Sequence, residues 1–301
     1  MRLEIGDEPG DVHCCHRSSL PRWDRFTPAR TPIHRLRSPS VTDPASWPPP
    51  GAGADALALL RRVADAVRDA LAGDDVAWGP SGRKAGQYAS DLVADAAALA
   101  VLADAGVQVL SEESGLTGGG ALTVVVDPLD GSTNASRAIP WFATSLCALD
   151  DVGPVASLVA DLPHGRRYEA VRGAGARRDG VPIAPSAASS LHESLVAISG
   201  FPPEPLGWRQ FRALGAAALD LCGVADGTVD AYVDCSRSAH GPWDYLGALL
   251  VCAEVGVEVR DVHGRDLVVI EHDARRTPVA AATVSLADEL HAARVAGGPP
   301  A

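Results

Sequence analysis

Apolar positions along the chain fall into blocks whose period changes. Ala56, Leu57, Leu59, Leu60, Val63, Ala64, Val67 and Leu71 recur at helical spacing, and Gly73 ends that helix. The pattern predicts a second helix over 88–105, stopped by Gly106. Short apolar runs over 107–110 and 122–126 read as strands, and both run into acidic residues. Further strands are predicted over 144–149 and 156–160. The second half reads as a helix over 213–226, a strand over 231–234, a helix over 245–255 and a strand over 257–261. No internal repeat is visible. This mixture predicts an α/β (α+β) layered sandwich of alternating helices and sheets.

Residues 1–50 break the pattern. They carry Pro21, Pro28, Pro32, Pro39, Pro44 and Pro48 to Pro50, scattered arginine and no sustained period. That is the composition of a disordered extension. A basic interaction tail is the functional alternative, and a non-ATG start at Val41 is a further reading. The folded domain is expected over 54–293, with an α+β half over 54–185 and an α/β half over 186–293.

Of the 301 residues, 47% are hydrophobic and 21% charged, enough for a sizeable core. The net charge of −12 argues against nucleic acid as a partner, because phosphate backbones require Lys and Arg. An anionic substrate would then need bound cations. Lys84 is the only lysine; every other strong base is arginine. A lysine kept in that background is a candidate for a role needing a compact point charge. The six cysteines (Cys14, Cys15, Cys147, Cys222, Cys235, Cys252) have neither zinc-site nor disulfide-framework spacing. No stretch approaches 18 apolar residues, so no membrane association is expected, and the default compartment is the cytoplasm.

Three acidic clusters carry candidate chemistry: Ser111-Glu112-Glu113-Ser114-Gly115, Asp127-Pro128-Leu129-Asp130-Gly131-Ser132-Thr133-Asn134, and Gly241-Pro242-Trp243-Asp244. In the second, an apolar strand delivers Asp127 to a sheet edge and Pro128 bends the chain, so that two aspartates can converge. Gly131 permits a tight backbone, and Ser132, Thr133 and Asn134 suit a helix start with free N–H groups. A carboxylate pair beside a helix N-terminus places a cation next to an anion. Oxygen ligands select Mg²⁺, Mn²⁺ or Ca²⁺ over zinc. Taken singly, Glu112 reads as a solvated loop residue and Asp244 as a helix cap. Together the clusters offer carboxylates for several cations.

The octapeptide Asp127 to Asn134 resembles the signature of the inositol monophosphatase family. Glu112-Glu113-Ser114 and Trp243-Asp244 sit where that family has its other motifs, and residues 212–234 resemble the segment before the last one. The resemblance implies a sugar-phosphatase type of fold and Mg²⁺-dependent hydrolysis of a small phosphate monoester. Inositol monophosphate is the first expectation. Histidinol phosphate, phosphoadenosine phosphate or another bisphosphate, and a family member with an added regulatory binding role, are the alternatives. It implies two or three Mg²⁺ ions, with Mn²⁺ as a substitute, held by Glu112, Asp127, Asp130, Asp244 and the Leu129 carbonyl. Ser132 with Asp91 would orient the attacking water, and Lys84 would stand close by. Gly131, Ser132, Thr133, Gly215, Ala216 and Asp234 would contact substrate, and the assembly would be a homodimer. Asp95, one helical turn from Asp91, competes for its role.

Other candidates are weaker. His164, His192, His240, His263, His272 and His291 have no metal-like spacing, so loop or surface positions are expected. His240 is the exception, lying four residues before Asp244. Gly118 to Gly120 lacks the GK[ST] of a phosphate loop and reads as a hairpin. The acidic loops lack the spacing of a calcium-binding EF-hand.

Overall fold

In a computed structural model of the chain, residues 47–236 and 239–297 are described. The expected extension lies outside them except for its last four residues. Of these, Trp47 is half-buried; its indole N–H donates to the Ala174 carbonyl (2.8 Å) and the Arg177 guanidinium lies over its ring. The packed region therefore begins before residue 54.

The chain opens with helices α1 (Ala52–Leu71) and α2 (Ala89–Ala105). All eight predicted apolar positions of α1 are buried. Gly106 closes α2 in the left-handed region, at φ 66°, as a C-terminal glycine does. Strands β1 (Gln108–Ser111), β2 (Gly115–Gly118) and β3 (Thr123–Asp130) follow, then the one-turn helix α3 (Ser132–Ser136). Next come β4 (Ala143–Leu149), β5 (Pro154–Asp161), β6 (Arg166–Val171), β7 (Ala176–Arg178), β8 (Val181–Pro182), β9 (Leu195–Gly200) and β10 (Gln210–Arg212). The C-terminal part holds α4 (Ala217–Ala225), β11 (Ala231–Cys235), α5 (Pro242–Glu254), β12 (Glu258–Asp261), β13 (Pro278–Ala281) and α6 (Val284–Ala296).

The helix expected over 213–226 starts only at Ala217, because Gly215 sits at φ 90°, outside helical space. Strands β2, β6 to β10 and β13, and helix α6, were not legible in the pattern. Most are short, and β6 (RRYEAV) carries too much charge to read as apolar.

Two sheets result. One runs β2-β1-β3-β4-β5-β6-β7-β8, the other β10-β9-β11-β13-β12. Alternation along the first sheet separates its faces. Val124, Val126, Leu146 and Leu158 pack on α1 and α2. Val125, Cys147 and Val159 pack on α4 and α5, which also meet Ala197, Tyr232 and Ala280 of the second sheet. Val196, Ile198 and Val279 point the other way, onto α6. The layers are helix, sheet, helix, sheet, helix. No described helix is long and apolar enough to cross a membrane. The four described cysteines are free and buried.

Helix α5 approaches β4 closely because Gly247 faces it. A Cβ there would lie 2.4 Å from Ser145 Oγ and 3.0 Å from the Leu146 amide nitrogen. Gly247→Ala should therefore lower unfolding stability by about 1–3 kcal/mol through overpacking, against the gain of about 1 kcal/mol that alanine normally brings to a helix interior. Urea denaturation checks the sign; a stabilised variant would show that α5 can move away without loss.

Candidate active site

The second acidic cluster does not follow the strand; it is the end of it. β3 continues through Asp130, and its pairing with β4 slips between Asp127 (opposite Ser145) and Asp130 (opposite Ala143). Three steps on β3 span two on β4, which is a β-bulge. Residues i and i+3 of a regular strand face opposite sides. The bulge, between Asp127 and Asp130, undoes that alternation and re-aims the pair. Both aspartates are buried. Asp127 accepts from the Leu129 amide (3.0 Å), and Asp130 from the Ala218 amide (2.8 Å). Asp130 thus caps α4 from a distant strand, and Leu129 itself is buried.

Gly131 sits at φ 81°, and a Cβ would lie 3.0 Å from the carbonyl oxygens of both Gly215 and Trp141. Only glycine fits both constraints. Asn134 donates to the carbonyls of Trp141 and Leu214 (2.8 Å each), fixing α3 against the turn before α4. Gly131, Gly215 and Ala216 therefore meet. Thr133 and Gly215 are exposed, but Ala216 is buried against Gly131 and packs rather than facing solvent.

Glu112 lies on the turn between β1 and β2. Asp95, on α2, is buried and accepts from Ser111 Oγ (2.5 Å) and from Ser114 Oγ, clamping both sides of that turn. Its carboxylate is fully committed, which leaves the other candidate, Asp91, available. Asp91 accepts from the Tyr88 amide (2.8 Å) at the start of α2, while its Oδ1 is buried without a hydrogen-bond partner. Lys84 pairs with Glu113 (2.9 Å), which Gln87 also contacts.

Asp244 repeats the Asp91 arrangement at the start of α5, accepting from the Gly241 amide (2.9 Å). His240 Nδ1 lies 3.0 Å from Asp244, and its Nε2 lies 2.7 Å from the Tyr232 hydroxyl and 3.7 Å from Asp234. Asp234, expected at the substrate mouth, is instead fully buried, with one oxygen on the Ser236 amide (2.7 Å). Its position on the central strand β11 turns it inward.

The electrostatics bind these groups together. Burial raises the Glu112 pKa to about 8, helped by Asp244, Glu113 and Asp91 and opposed by Lys84. Burial, then Glu112, Asp130 and Asp244, hold Asp127 well above the carboxylate range. Asp130 is pushed up to about 7 by burial and Asp244. Asp91 rises to about 6, through burial and Glu113 against the Tyr88 amide, the nearby Ser132 hydroxyl and Lys84. Burial lowers the pKa of His240, but Asp244, Asp234 and Asp130 outweigh it and carry the imidazole to about 9.

Among the described residues, no three carboxylate, imidazole or thiolate groups are already ringed around one point as metal ligands. Asp127, Asp130 and Asp244 are each turned to a backbone amide. The donor set nevertheless suits a hard cation: Asp244 raises the pKa of Glu112, Asp127 and Asp130, and Asp91 holds an unpartnered buried oxygen.

Sequence reasoning missed Asn134's tie to α4, His272, whose Nε2 donates to the Glu112 carbonyl (3.0 Å), and Asp220, which accepts from Trp141 Nε1 (2.9 Å). Asp220 is buried, and burial raises its pKa well above normal. Only its place in the 212–234 segment could have marked it.

Raised carboxyl pKa values mean that, above about pH 4, the folded state binds more protons than the unfolded state. Stability then falls as pH rises. His240 adds a term of the same sign, lost as pH passes from about 6.5 to about 9. Metal-free protein should therefore melt at a lower temperature at pH 8 than at pH 5.5, as measured by circular dichroism in chelator. A rise over that interval would contradict the buried carboxylate cluster.

Residues 58–297 match the model of the inositol monophosphatase family. A fructose-1,6-bisphosphatase/inositol-1-monophosphatase of Archaeoglobus fulgidus is 34% identical over 226 residues, 71% of this chain and 87% of that protein. The Nus factor SuhB of Escherichia coli is 32% identical over 173 residues, 52% of this chain and 63% of that protein. Among solved structures, the inositol monophosphatase of Anabaena (Nostoc) sp. PCC 7120 superposes with a TM-score of 0.67 at 26% identity, covering 82% of this chain and 97% of its own. With its layered fold, its bulged Asp127 to Asn134 segment and a family match over most of its length, the chain belongs to the inositol monophosphatase family.

Proposed function

We propose that this family phosphatase hydrolyses a phosphate monoester of a small hydroxylated metabolite, with inositol monophosphate the assigned substrate and Mg²⁺ the cofactor. The observation that carries this reading is that Asp244 lies close enough to raise the pKa of Glu112, Asp127 and Asp130, with Asp127 and Asp130 buried beside the start of α3. An anionic substrate could not approach such a cluster unless cations neutralised it.

Glu112, Asp127, Asp130 and Asp244 would hold Mg²⁺ (two or three ions, or Mn²⁺), with the Leu129 carbonyl as a further ligand. Bound Mg²⁺ would neutralise the phosphate and lower the pKa of a bound water. The chain's own groups divide the remaining work. Asp91, with its buried oxygen and a pKa near 6, would accept a proton from the water as its oxygen bonds to phosphorus, Ser132 would orient that water, and the ester oxygen would leave with the metabolite and take a proton from solvent. Gly131, Ser132 and Thr133 offer donors to phosphate oxygens. Tyr88 donates its hydroxyl to Thr133 Oγ1 (3.2 Å) and links α3 to an open cavity of about 410 Å³ lined by Arg83, Lys84, Gln87 and Tyr88. Its size suits a sugar-sized group.

Phosphate release from inositol 1-phosphate, histidinol phosphate, fructose 1,6-bisphosphate and phosphoadenosine phosphate, with and without Mg²⁺, tests the assignment. Inositol 1-phosphate should have the highest kcat/KM; a different best substrate would replace it and leave the reaction class standing. Asp127→Asn should lower kcat by at least about a hundredfold with the fold retained. Asp91→Asn should cost about 10²–10⁴-fold in kcat. Wild-type turnover in both variants would remove the site from the reaction.

A further inference from the structure

The segment after β12 crosses the acidic site, and no motif marks it. His272 reaches Glu112, donating from Nε2 to the Glu112 carbonyl oxygen (3.0 Å). A carbonyl only accepts, so this bond fixes the ring as the Nε2–H tautomer. The same imidazole lies 4.9 Å from the Trp243 ring, centre to centre, and Trp243 directly precedes Asp244. Arg275 covers that indole at 5.3 Å. Arg276 exchanges two backbone hydrogen bonds with His240 (2.7 and 2.8 Å), and His240 contacts Asp244. Four consecutive contacts of one short strap thus land on both carboxylate-bearing turns.

Those turns belong to different parts of the chain. Glu112 sits on the β1–β2 turn of the large sheet, and Asp244 opens α5 between the sheets. Asp95 clamps the turn through Ser111 and Ser114 but touches only its own side. Among the described residues, His272 is the side chain that contacts both the Glu112 backbone and the Trp243 ring.

We propose that His272 is a positioning residue that holds Glu112 at a fixed separation from Asp244, so that both carboxylates can serve the same cation cluster. This rests on the reading that Glu112 and Asp244 hold metal ions. The bond sets the direction of the Glu112 carbonyl, hence of its side chain, and the ring, tilted 36° to the Trp243 indole, transmits that position to α5. A group that orients a metal ligand changes affinity for the ion more than the chemical step.

The test uses the full chain and Mg²⁺ alone, measured by titration calorimetry, with melting of the metal-free protein as a fold control. His272→Phe keeps a ring against Trp243 and removes the donor. It should raise the Mg²⁺ dissociation constant about ten- to a hundredfold, and kcat should recover at saturating Mg²⁺. His272→Gln restores an amide N–H and should return affinity to within about threefold of wild type. Wild-type Mg²⁺ affinity in His272→Phe overturns the proposal, as does a loss in His272→Gln equal to that in His272→Phe. Glu112→Gln separates the two readings. If it binds Mg²⁺ as wild type does, the metal assignment fails; if it loses binding while His272→Phe does not, only the bracing role fails.

Discussion

Two buried carboxylates (Asp127 and Asp130) and two half-buried ones (Glu112 and Asp244) crowd one site, with Lys84 and His240 opposing their charge among the described residues. Asp244 raises the pKa of Glu112, Asp127 and Asp130, and Glu112 and Asp130 raise that of Asp127, on top of the cost of burial. Removing charge from water is expensive unless a partner compensates. Here compensation is partial: single backbone amides from Leu129, Ala218 and Gly241, and the imidazole of His240. Folding stability is thereby tied to how these groups are compensated, since they weaken the fold when ionised without a partner.

The architecture answers that constraint by drawing the carboxylates from separate elements. The β3 bulge aims Asp127 and Asp130 together, while Glu112 comes from a turn between strands. Asp244 begins α5, where the helix macrodipole favours a negative group. Several contacts then lock these pieces across layers. Ser145 on β4 donates to the Trp243 carbonyl (3.0 Å), and Gly247 lets α5 lie on the same strand. Asp130 holds the first turn of α4, and Asn134 holds the loop before it. A ligand shift at the site is therefore also a shift in how α4 and α5 sit between the two sheets.

Some expectations changed for identifiable reasons. Asp95 and Asp91 are one turn apart and look equivalent in sequence; only hydrogen bonding separates them, since Asp95 is committed to Ser111 and Ser114. Asp234 lies just upstream of Asp244 and was expected to face substrate, yet β11 is the middle strand of its sheet and is buried on both faces, so the side chain lies in the interior. Ala216 belongs to the turn beside Gly131, but its methyl is buried. His272 had no motif and lies far along the chain from every acidic cluster, so its contact with Glu112 could not be anticipated.

Local chemistry was readable from residues alone. The period of α1, the left-handed stop at Gly106, the need for glycine at 131 and the acidic signature all depend on near neighbours, and sequence records near neighbours directly. The octapeptide also carried the family, because its steric and charge requirements are met within eight residues. What tertiary structure decided was which side chains face inward, which carboxylate is already satisfied, and which distant segment lies against Glu112. Those outcomes depend on strand pairing and layer packing between residues as far apart as Glu112 and His272, and no local pattern encodes the distance between them.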